Sequence, residues 1–505
     1  MKFFLFSLFA GLVAACGFEP FGLWPLTLVA FAGLMQLVAR APTLRNALAR
    51  GWWFGMGYFG LGLNWIATAF TYQAAMPAWL GWVAVVLLSC YIAVYPAAAA
   101  GLAWRYGRRT RLRLVLVLAA AWIVTEWLRA TMFTGFAWNP AGVALLPTGA
   151  AWLATWVGTY GLSGIALLLA GVLYLLNWRQ WVRAGVLCAL IVGASLLARL
   201  ASPAATPRAQ PLPVRVVQPN IGQEDKWRVG FEEESLARLK HLSAKETPGP
   251  RLLLWPEAAI TYPLQDGRAD PLHQRDAAEL RALVGRLIGP GDLLLTGAIT
   301  LQSRDGLAVD SATNSVFAMN PEGRILARYD KAHLVPYGEY LPMRPILSAI
   351  GLSRLAPGDF DFDPGPGAAT LMLPGIGRTG FQLCYEIIFS GEVVDRANRP
   401  DFIFNPSNDA WFGAWGPPQH LAQARLRVLE EGLPVLRATP TGISAVIDAE
   451  GRVVKSLPWR TAGVIDTPLP AAKPPTLFAR FGNILSFAFA LFLAGAAIAV
   501  RPKTR

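Results

Sequence analysis

The sequence is poor in charge, and the little charge it has is unevenly distributed. Only 15% of the 505 residues are charged, against roughly 25% in an average globular domain. Acids are scarcest in residues 1–205, which hold only Glu19 and Glu126 beside 13 of the 45 lysines and arginines. The rest of the chain is nearly balanced, with 32 basic and 30 acidic residues. The net charge of +13 therefore belongs mainly to the apolar part, and we expect no nucleic-acid partner.

Cysteine and histidine are also scarce. Of the four cysteines, Cys16, Cys90 and Cys188 lie in apolar segments and only Cys384 falls in the polar part. A disulfide within that part is therefore excluded. The four histidines show no metal-ligand spacing, and the sequence contains no nucleotide-binding motif. We expect neither a metal nor another cofactor.

Long apolar runs, in contrast, are abundant. A membrane-spanning helix needs about 20 apolar residues, and the chain offers eight candidate spans. They cover residues 3–17, 22–39, 51–71, 79–104, 113–129, 152–176, 181–200 and 480–500. We therefore predict an all-α transmembrane bundle of eight spans, with seven helices in residues 1–200 and a final helix with a cytoplasmic tail in 480–505.

The loops between these runs alternate in basic charge. Basic residues cluster after the second, fourth, sixth and eighth spans, whereas the loops at 18–21 and 72–78 contain none. Because basic loops stay in the cytoplasm, both termini are predicted to be cytoplasmic and residues 201–479 to lie on the opposite side. In a bacterium this describes a multi-pass protein of the inner membrane with a periplasmic domain.

The first apolar run ends in Val-Ala-Ala before Cys16, as a lipoprotein signal peptide does before its lipid-modified cysteine. A cleaved signal therefore competes with a retained first span. We favour the retained span, because cleavage would leave six spans before the periplasmic domain, and six spans fit the loop charges poorly.

The polar part of the chain has the pattern of a layered α/β domain. Residues 201–213 are rich in Pro and Ala and predict a linker. Strands are predicted at 214–219, 251–255, 292–299, 314–319, 324–330, 379–384 and 401–406, a strand pair within 433–454, and helices at 231–244, 276–288 and 418–431. Strands that alternate with helices and hairpins favour a mixed-sheet α/β fold, which we assign to residues 214–475.

Three chemically active residues are predicted to stand at strand ends. Glu257 follows an apolar run, Lys331 ends the run 328–331, and Cys384 ends a run of strand character. Taken singly, each is more typical of a surface charge or a core thiol. Taken together, a carboxylate base, a cation and a thiol form a complete set for acyl transfer through a thioester.

The motifs around these residues resemble the nitrilase superfamily. They are Trp255-Pro256-Glu257, Tyr329-Asp330-Lys331, residues 333–339, Leu383-Cys384-Tyr385-Glu386, and residues 405–415 with Gln419-His420. The resemblance covers about residues 212–470 and implies a nitrilase-like αββα sandwich with a Glu–Lys–Cys triad. With seven spans before the domain and one after it, the chain is similar to the membrane-embedded bacterial branch of the superfamily, the apolipoprotein N-acyltransferases.

The resemblance implies a role for each motif residue. Cys384 would be the nucleophile, Glu257 the general base and Lys331 an oxyanion stabiliser, with the backbone N–H of Tyr385 as a second oxyanion donor. Residues that would support the site or hold lipid are Trp227, Glu339, Tyr385, Glu386 and Trp411. The loop after Trp411 departs from the family pattern by an extra aromatic residue and two prolines, which leaves acceptor selectivity open.

The resemblance also implies the substrates. A fatty acyl chain would pass from a phospholipid, with phosphatidylethanolamine as the expected donor, to the α-amino group of an S-diacylglyceryl cysteine that begins an apolipoprotein. We expect a monomer embedded in membrane lipid. Two alternatives stay open at this point: a membrane-tethered amidase or nitrilase that hydrolyses C–N bonds, and a transporter with an accessory domain. The apolar segment 340–360 is interpreted either as a packed insertion or as a lid at the lipid interface.

Overall fold

The computed structural model describes residues 2–72, 77–226, 228, 230–244, 249–349, 354–355 and 361–500. Helices fill the chain as far as Leu200, and a mixed α/β domain follows. The helices of the first part are α1 (Lys2–Ala15), α2 (Trp24–Ala39), α3 (Leu44–Gly62), α4 (Ile66–Ala69), α5 (Leu80–Ile92), α6 (Val94–Gly107), α7 (Arg111–Thr131), α8 (Ala154–Asn177) and α9 (Trp181–Leu200).

Four helices among the described residues are long and apolar enough to cross a membrane. They are Leu80–Gly107, which joins α5 and α6, together with Arg111–Thr131, Gly149–Asn177 and Trp181–Leu200. Three further apolar helices are shorter: Lys2–Ala15, Trp24–Ala39 and Ile484–Ala499. The prediction of an apolar helical region with membrane spans is therefore confirmed.

The predicted third span, 51–71, is displaced in the structure. Helix α3 begins earlier, at Leu44, because the hydroxyl of Thr43 accepts a hydrogen bond from the N–H of Asn46 and caps the helix. It ends at Gly62, and the chain turns before the short helix α4. Pro96 lies in the first turn of α6, where a missing N–H costs no intrahelical bond.

The α/β domain contains thirteen strands among its described residues. The strands are β1 (Pro213–Gln218), β2 (Leu252–Leu254), β3 (Gln265–Asp266), β4 (Leu293–Gln302), β5 (Ser311–Met319), β6 (Ile325–Asp330), β7 (Thr370–Leu373), β8 (Gly377–Phe381), β9 (Phe402–Pro406), β10 (Val435–Ala438), β11 (Ala445–Ile447), β12 (Val453–Ser456) and β13 (Gly463–Pro468). The helices are α10 (Gln223–Lys226), α11 (Phe231–Ser243), α12 (Pro271–Arg286), α13 (Arg344–Ala349), α14 (Gly416–Glu431), α15 (Leu477–Phe481) and α16 (Ile484–Ala499).

The strands form two sheets that pack face to face. One has the order β13-β1-β2-β4-β5-β6, with β3 beside β4, and the other has the order β12-β11-β10-β9-β8-β7. The apolar core between them includes Leu254, Leu295, Phe381 and Phe404. Residues of α11 and α12 pack on the outer face of the first sheet through a second apolar cluster. With α14 beside the second sheet, the layers follow the predicted αββα order.

Helix α14 is shared between the α/β domain and the helical part. Its Leu426 belongs to one continuous apolar cluster with Val435 of β10 and Leu162 of α8. Polar contacts reinforce this junction. The Glu430 carboxylate accepts a 2.6 Å hydrogen bond from the N–H of Thr159, directly after Gly158, where a positive φ kinks α8. The second sheet therefore faces the membrane helices, and its loops open toward them.

The sequence located the strand runs well but misplaced one boundary that concerns the site. The pair predicted within 433–454 is present as the antiparallel strands β10 and β11. The strand predicted at 379–384, in contrast, ends at Phe381. Cys384 instead begins a 3₁₀ helix, Cys384–Ile388. Its positive φ of 48° lies outside the strand region.

Candidate active site

Glu257 lies on a sharp turn directly after β2. The residues before it, Leu254 to Pro256, are buried in the apolar core, and Glu257 itself is 5% exposed. The turn continues through Ala258 with a φ of 48° and packs against β4 at Gly297. A Cβ at Gly297 would lie 2.7 Å from the Cα of Glu257, so only glycine allows this approach. The carboxylate is thereby held at the rim of the first sheet.

Lys331 follows β6 and is 1% exposed. Its Nζ lies 3.7 Å from Oε1 of Glu257 and 2.9 Å from Oε2 of Glu339. Glu339 is fixed in turn by the N–H of Val335, at 2.9 Å. Burial by itself would lower the pKa of Lys331, but the charges of Glu339 and Glu257 outweigh it and raise that pKa above the ordinary value. Lys331 is therefore a permanent cation within a buried carboxylate pair.

Cys384 stands opposite these groups on a left-handed backbone turn, 5% exposed. Burial first, and then the charge of Glu257, raise the pKa of its thiol well above the ordinary value. Lys331 and the backbone N–H of Asn408, which is directed at the sulfur, oppose this rise. The resting thiol is therefore neutral, so its chemistry depends on a base that removes the proton during attack.

Glu386 ties the cysteine turn to the lysine loop. One oxygen of its carboxylate accepts the N–H of Leu383 at 2.6 Å, and the other accepts the N–H groups of Ala332 and His333 at 2.6 and 3.0 Å. The hydroxyl of Tyr329 donates at 3.0 Å. Burial raises the pKa of Glu386 to about 7 against these donors. These hydrogen bonds to Glu386 fix the position of Cys384 relative to Lys331.

Tyr385 connects the site to the helical part of the chain. Its hydroxyl donates to the carbonyl of Gly135 at 3.3 Å, and its ring packs edge-on against Phe389. Trp411 lies farther along the same junction, edge-on to Tyr72 at 5.8 Å. Trp227 lies outside the described residues. The neighbouring Lys226 is buried, and burial lowers its pKa to about 8 against the charge of Glu257.

Segment 340–360 is described only in part. Met343, directly before helix α13, and Ile346 within the helix are each more than 60% exposed. Arg344 is held to Asp361 by a salt bridge. Residues 350–353 and 356–360 lie outside the described residues, so the lid and the packed insertion both stay predictions.

Asn314 is a site residue that sequence reasoning missed. Its Nδ2 donates to Oε1 of Glu257 at 2.8 Å and to Oε1 of Glu339 at 2.9 Å, so one amide bridges both carboxylates. Among the described residues, Oε2 of Glu257 and Oδ1 of Asn314 have no hydrogen-bond partner. A buried amide at a strand position is a weak signal in a single sequence, because the contact joins residues far apart in the chain.

Replacing Asn314 by aspartate is expected to place a third carboxylate beside Glu257 and Glu339. A like charge within hydrogen-bond distance disfavours a second carboxylate anion, and the substitution also removes the amide that donates to Glu257. Attack by the Cys384 thiol on an ester should fall on the order of 10²-fold at pH 7 and recover partly as pH rises. The rate of acylation is measured between pH 6 and 9. Asn320→Asp, on the turn after the same strand, is the matched control, and a parallel fall in both variants would contradict the assigned role.

Three further buried residues lie behind Cys384: Asp409, His420 and Arg437. His420 Nε2 is 3.0 Å from the carbonyl oxygen of Cys384, and Asp409 links His420 to Arg437. Cys384, Asp409 and His420 have possible ligand atoms within 4.8 Å of one another. The guanidinium of Arg437 lies 2.6 Å from the Asp409 carboxylate and disfavours a metal cation there.

Both the helical part and the α/β domain of the chain match known protein families. Residues 10–172 match the apolipoprotein N-acyltransferase N-terminal domain, and residues 213–473 match the carbon-nitrogen hydrolase family. An apolipoprotein N-acyltransferase of Rhodopseudomonas palustris is 35% identical over 95% of this chain and 91% of its own length. One of Caulobacter vibrioides is 36% identical over 96% and 92%.

Among solved structures, Saccharomyces cerevisiae Nit3, a member of the nitrilase superfamily, matches with 19% identity and a TM-score of 0.38 over 54% of this chain and 94% of its own. The near full-length relatives carry the assignment, because they cover the helical part and the α/β domain together. The chain belongs to the apolipoprotein N-acyltransferase family.

Proposed function

We propose that this enzyme moves a fatty acyl chain from a phospholipid, through a thioester on Cys384, to the α-amino group of the S-diacylglyceryl cysteine of an apolipoprotein. The observation that carries the proposal is the meeting of Glu257, Lys331 and Cys384 in a nitrilase-like domain whose open edge faces apolar helices. A thioester keeps the energy of the donor ester, so amide formation needs no nucleotide. The fit to near full-length relatives favours acyl transfer over C–N hydrolysis.

In the first half-reaction Glu257 takes the thiol proton while the sulfur of Cys384 attacks the ester carbonyl of the donor. Lys331 and the N–H of Tyr385 stabilise the oxyanion that forms. The carbon–oxygen bond then breaks, and Glu257 returns the proton to the departing lysophospholipid oxygen. Among the described residues, Oε2 of Glu257 has no hydrogen-bond partner. This oxygen can therefore take up the thiol proton and return it to the leaving group.

In the second half-reaction the acceptor amine attacks the thioester carbonyl and gives a proton to Glu257. The carbon–sulfur bond breaks, and the same proton restores the thiol of Cys384. Glu339 and Glu386 support the triad by holding Lys331 and the cysteine turn, while Tyr385 and Trp411 lie at the junction with the helical part, on the lipid side of the site. Trp227 is a further residue proposed to support the site or hold lipid.

Access for lipid is supported by the junction between the two parts. An open pocket there is lined by Thr68, Trp79 and Trp82 of the helical part and by Trp415 of the α/β domain. Aromatic side chains suit the membrane interface because they combine an apolar ring with a polar edge. Both proposed substrates are lipids, so an entrance at this pocket would receive them without extraction into water.

The proposed arrangement in the membrane follows from the loop charges. It comprises seven spans in residues 1–200, a linker at 201–213, a periplasmic catalytic domain at 214–475, and an eighth span with a cytoplasmic tail at 480–505. A reporter inserted near residue 205 is expected to be periplasmic, and one fused after Arg505 cytoplasmic. Both reporters on one side of the inner membrane would contradict the eight-span arrangement.

The function is tested with the purified enzyme, phosphatidylethanolamine and a peptide that begins with S-diacylglyceryl cysteine. The expected products are lyso-phosphatidylethanolamine and the N-acylated peptide, in equal amounts, identified by mass. A peptide with an acetylated α-amine is the matched control and should accept no acyl chain. Release of free fatty acid without transfer would instead indicate a hydrolase. Size-exclusion chromatography with light scattering tests the proposed monomer.

A further inference from the structure

A fully buried polar relay runs from the second sheet to the peptide that follows Cys384. It consists of Arg437 on β10, Asp409 at the start of a 3₁₀ turn, and His420 on α14, each 0% exposed. Arg437 Nη2 donates to both oxygens of Asp409 at 2.7 and 2.6 Å, and His420 Nδ1 lies 3.0 Å from Oδ1 of Asp409. A Cβ at Gly442 would lie 2.5 Å from Oδ2 of Asp409, so the glycine provides the space for this carboxylate.

The far end of the relay is a hydrogen bond to the backbone of Cys384. His420 Nε2 lies 3.0 Å from the carbonyl oxygen of Cys384. A carbonyl oxygen only accepts, so Nε2 carries a proton and donates it to this bond. Both ring nitrogens face acceptor oxygens, so the hydrogen bonds to Asp409 and to the Cys384 carbonyl are both made when the imidazole carries both protons. Burial and the nearby Arg437 lower the pKa of His420, whereas the Asp409 carboxylate and the Cys384 carbonyl oppose this fall.

The carbonyl of Cys384 and the N–H of Tyr385 belong to one planar peptide unit and point in opposite directions. A hydrogen bond that fixes the carbonyl therefore fixes the direction of the N–H. The first hydrogen bond of the 3₁₀ helix joins the N–H of Glu386 to the carbonyl of Leu383 at 3.1 Å. The N–H of Tyr385 precedes this bond, so the helix itself gives it no partner. A donor bound to the carbonyl also polarises the peptide and strengthens its N–H as a donor, by about 10–30% per bond.

We infer that Arg437, Asp409 and His420 are positioning residues that aim and strengthen the Tyr385 N–H as an oxyanion donor. This inference rests on the proposed function, because it assigns the N–H of Tyr385 to the transition state of acylation. None of the three residues needs to touch substrate. Each acts through the Cys384–Tyr385 peptide, whose left-handed turn needs support from outside the local chain.

The test separates an oxyanion role from support of the thiol. Acylation passes through an oxyanion, whereas alkylation by iodoacetamide displaces iodide at a saturated carbon and needs none. His420→Phe keeps a ring against Trp138 and Phe412, which now pack on the imidazole, but has no N–H. The His420→Phe variant is expected to slow acylation on the order of tenfold or more. This effect is smaller than the 10²–10³-fold fall in rate that follows removal of an entire oxyanion donor. Alkylation of Cys384 should stay within about twofold of the parent.

His420→Gln is the conservative partner, because its amide offers an N–H near the Nε2 position and should restore most of the acylation rate. Asp409→Asn serves as a second variant if His420→Phe fails to fold, and it should show the same separation of the two rates. Equal losses of acylation and alkylation would overturn the inference in favour of a purely structural role. Unchanged acylation in a folded His420→Phe would also overturn it.

Each rate is measured with phosphatidylethanolamine and, separately, with a short-chain p-nitrophenyl ester. The ester reports acylation of Cys384 independently of lipid recognition. If the parent reacts with the ester but not with the phospholipid, the proposed function fails while the relay is still tested. If the parent reacts with both, only the difference between the His420 variants decides the relay's role.

Discussion

Replacement of Cys384 by serine is expected to abolish formation of the acyl-enzyme. The two side chains have nearly the same shape, but a hydroxyl has a pKa far above the thiol's ordinary value of about 8.5. The site already raises the pKa of the thiol by burial and by the charge of Glu257. A carboxylate can remove a proton from such a thiol during attack but barely ionises an alcohol. Transfer to the apolipoprotein should fall to background.

The measurement is acyl-enzyme formation from labelled phospholipid, read by gel shift. Cys188→Ser, in the apolar helix α9, is the matched control and should keep the parent rate. Both variants should insert and fold, because each changes a single atom. Transfer by Cys384→Ser near the parent rate would rule out a thioester on this residue.

Replacement of Glu257 by glutamine is expected to slow acylation by roughly 10²–10⁴-fold, the usual contribution of general acid–base catalysis. The alternative bases are less suitable. Glu339 is held by Lys331, Asn314 and Val335, and Glu386 accepts from four donors. Among buried carboxylates of the described site, Glu257 keeps an oxygen without a protein partner.

The same replacement should change the thiol pKa in the opposite sense. The charge of Glu257 raises the pKa of Cys384, so its removal lowers that pKa. Alkylation by iodoacetamide should therefore reach half its plateau at a lower pH than in the parent, although acylation is slower. Glu233→Gln, on the exposed face of α11, is the control. Faster acylation together with the lower thiol pKa would show that Glu257 is not the base.

The apolar pattern predicted the buried strands that precede Glu257 and Lys331, because buried strands have a strong apolar signal. The grouping of these two residues with Cys384 came from the resemblance to the nitrilase superfamily. It could not predict that Asn314 bridges two carboxylates, since that contact depends on how β5 lies beside β4. The strand boundary at Cys384 was wrong for a related reason. The residues before the thiol resemble a strand in their apolar pattern, but the strand ends at Phe381 and the chain reaches Cys384 in a left-handed backbone conformation.

The sequence pattern also could not predict the contact between helix α14 and the membrane helices. Arg427 and Glu430 would ordinarily be assigned to the solvated face of α14. In the structure both are buried and paired at 3.1 Å, and Glu430 caps the kinked part of α8. Charged residues of this kind become interpretable only when the partner surface is known, because a single helix pattern does not identify what covers it.

The most direct test of the central claim is mass spectrometry of the purified parent enzyme after exposure to phosphatidylethanolamine of one defined acyl chain. The intact protein should gain the mass of that acyl group, and peptide analysis should place it on Cys384. Hydroxylamine at neutral pH should remove it, as expected of a thioester. An acyl group on another residue, or none while the apolipoprotein peptide is still acylated, would contradict the mechanism.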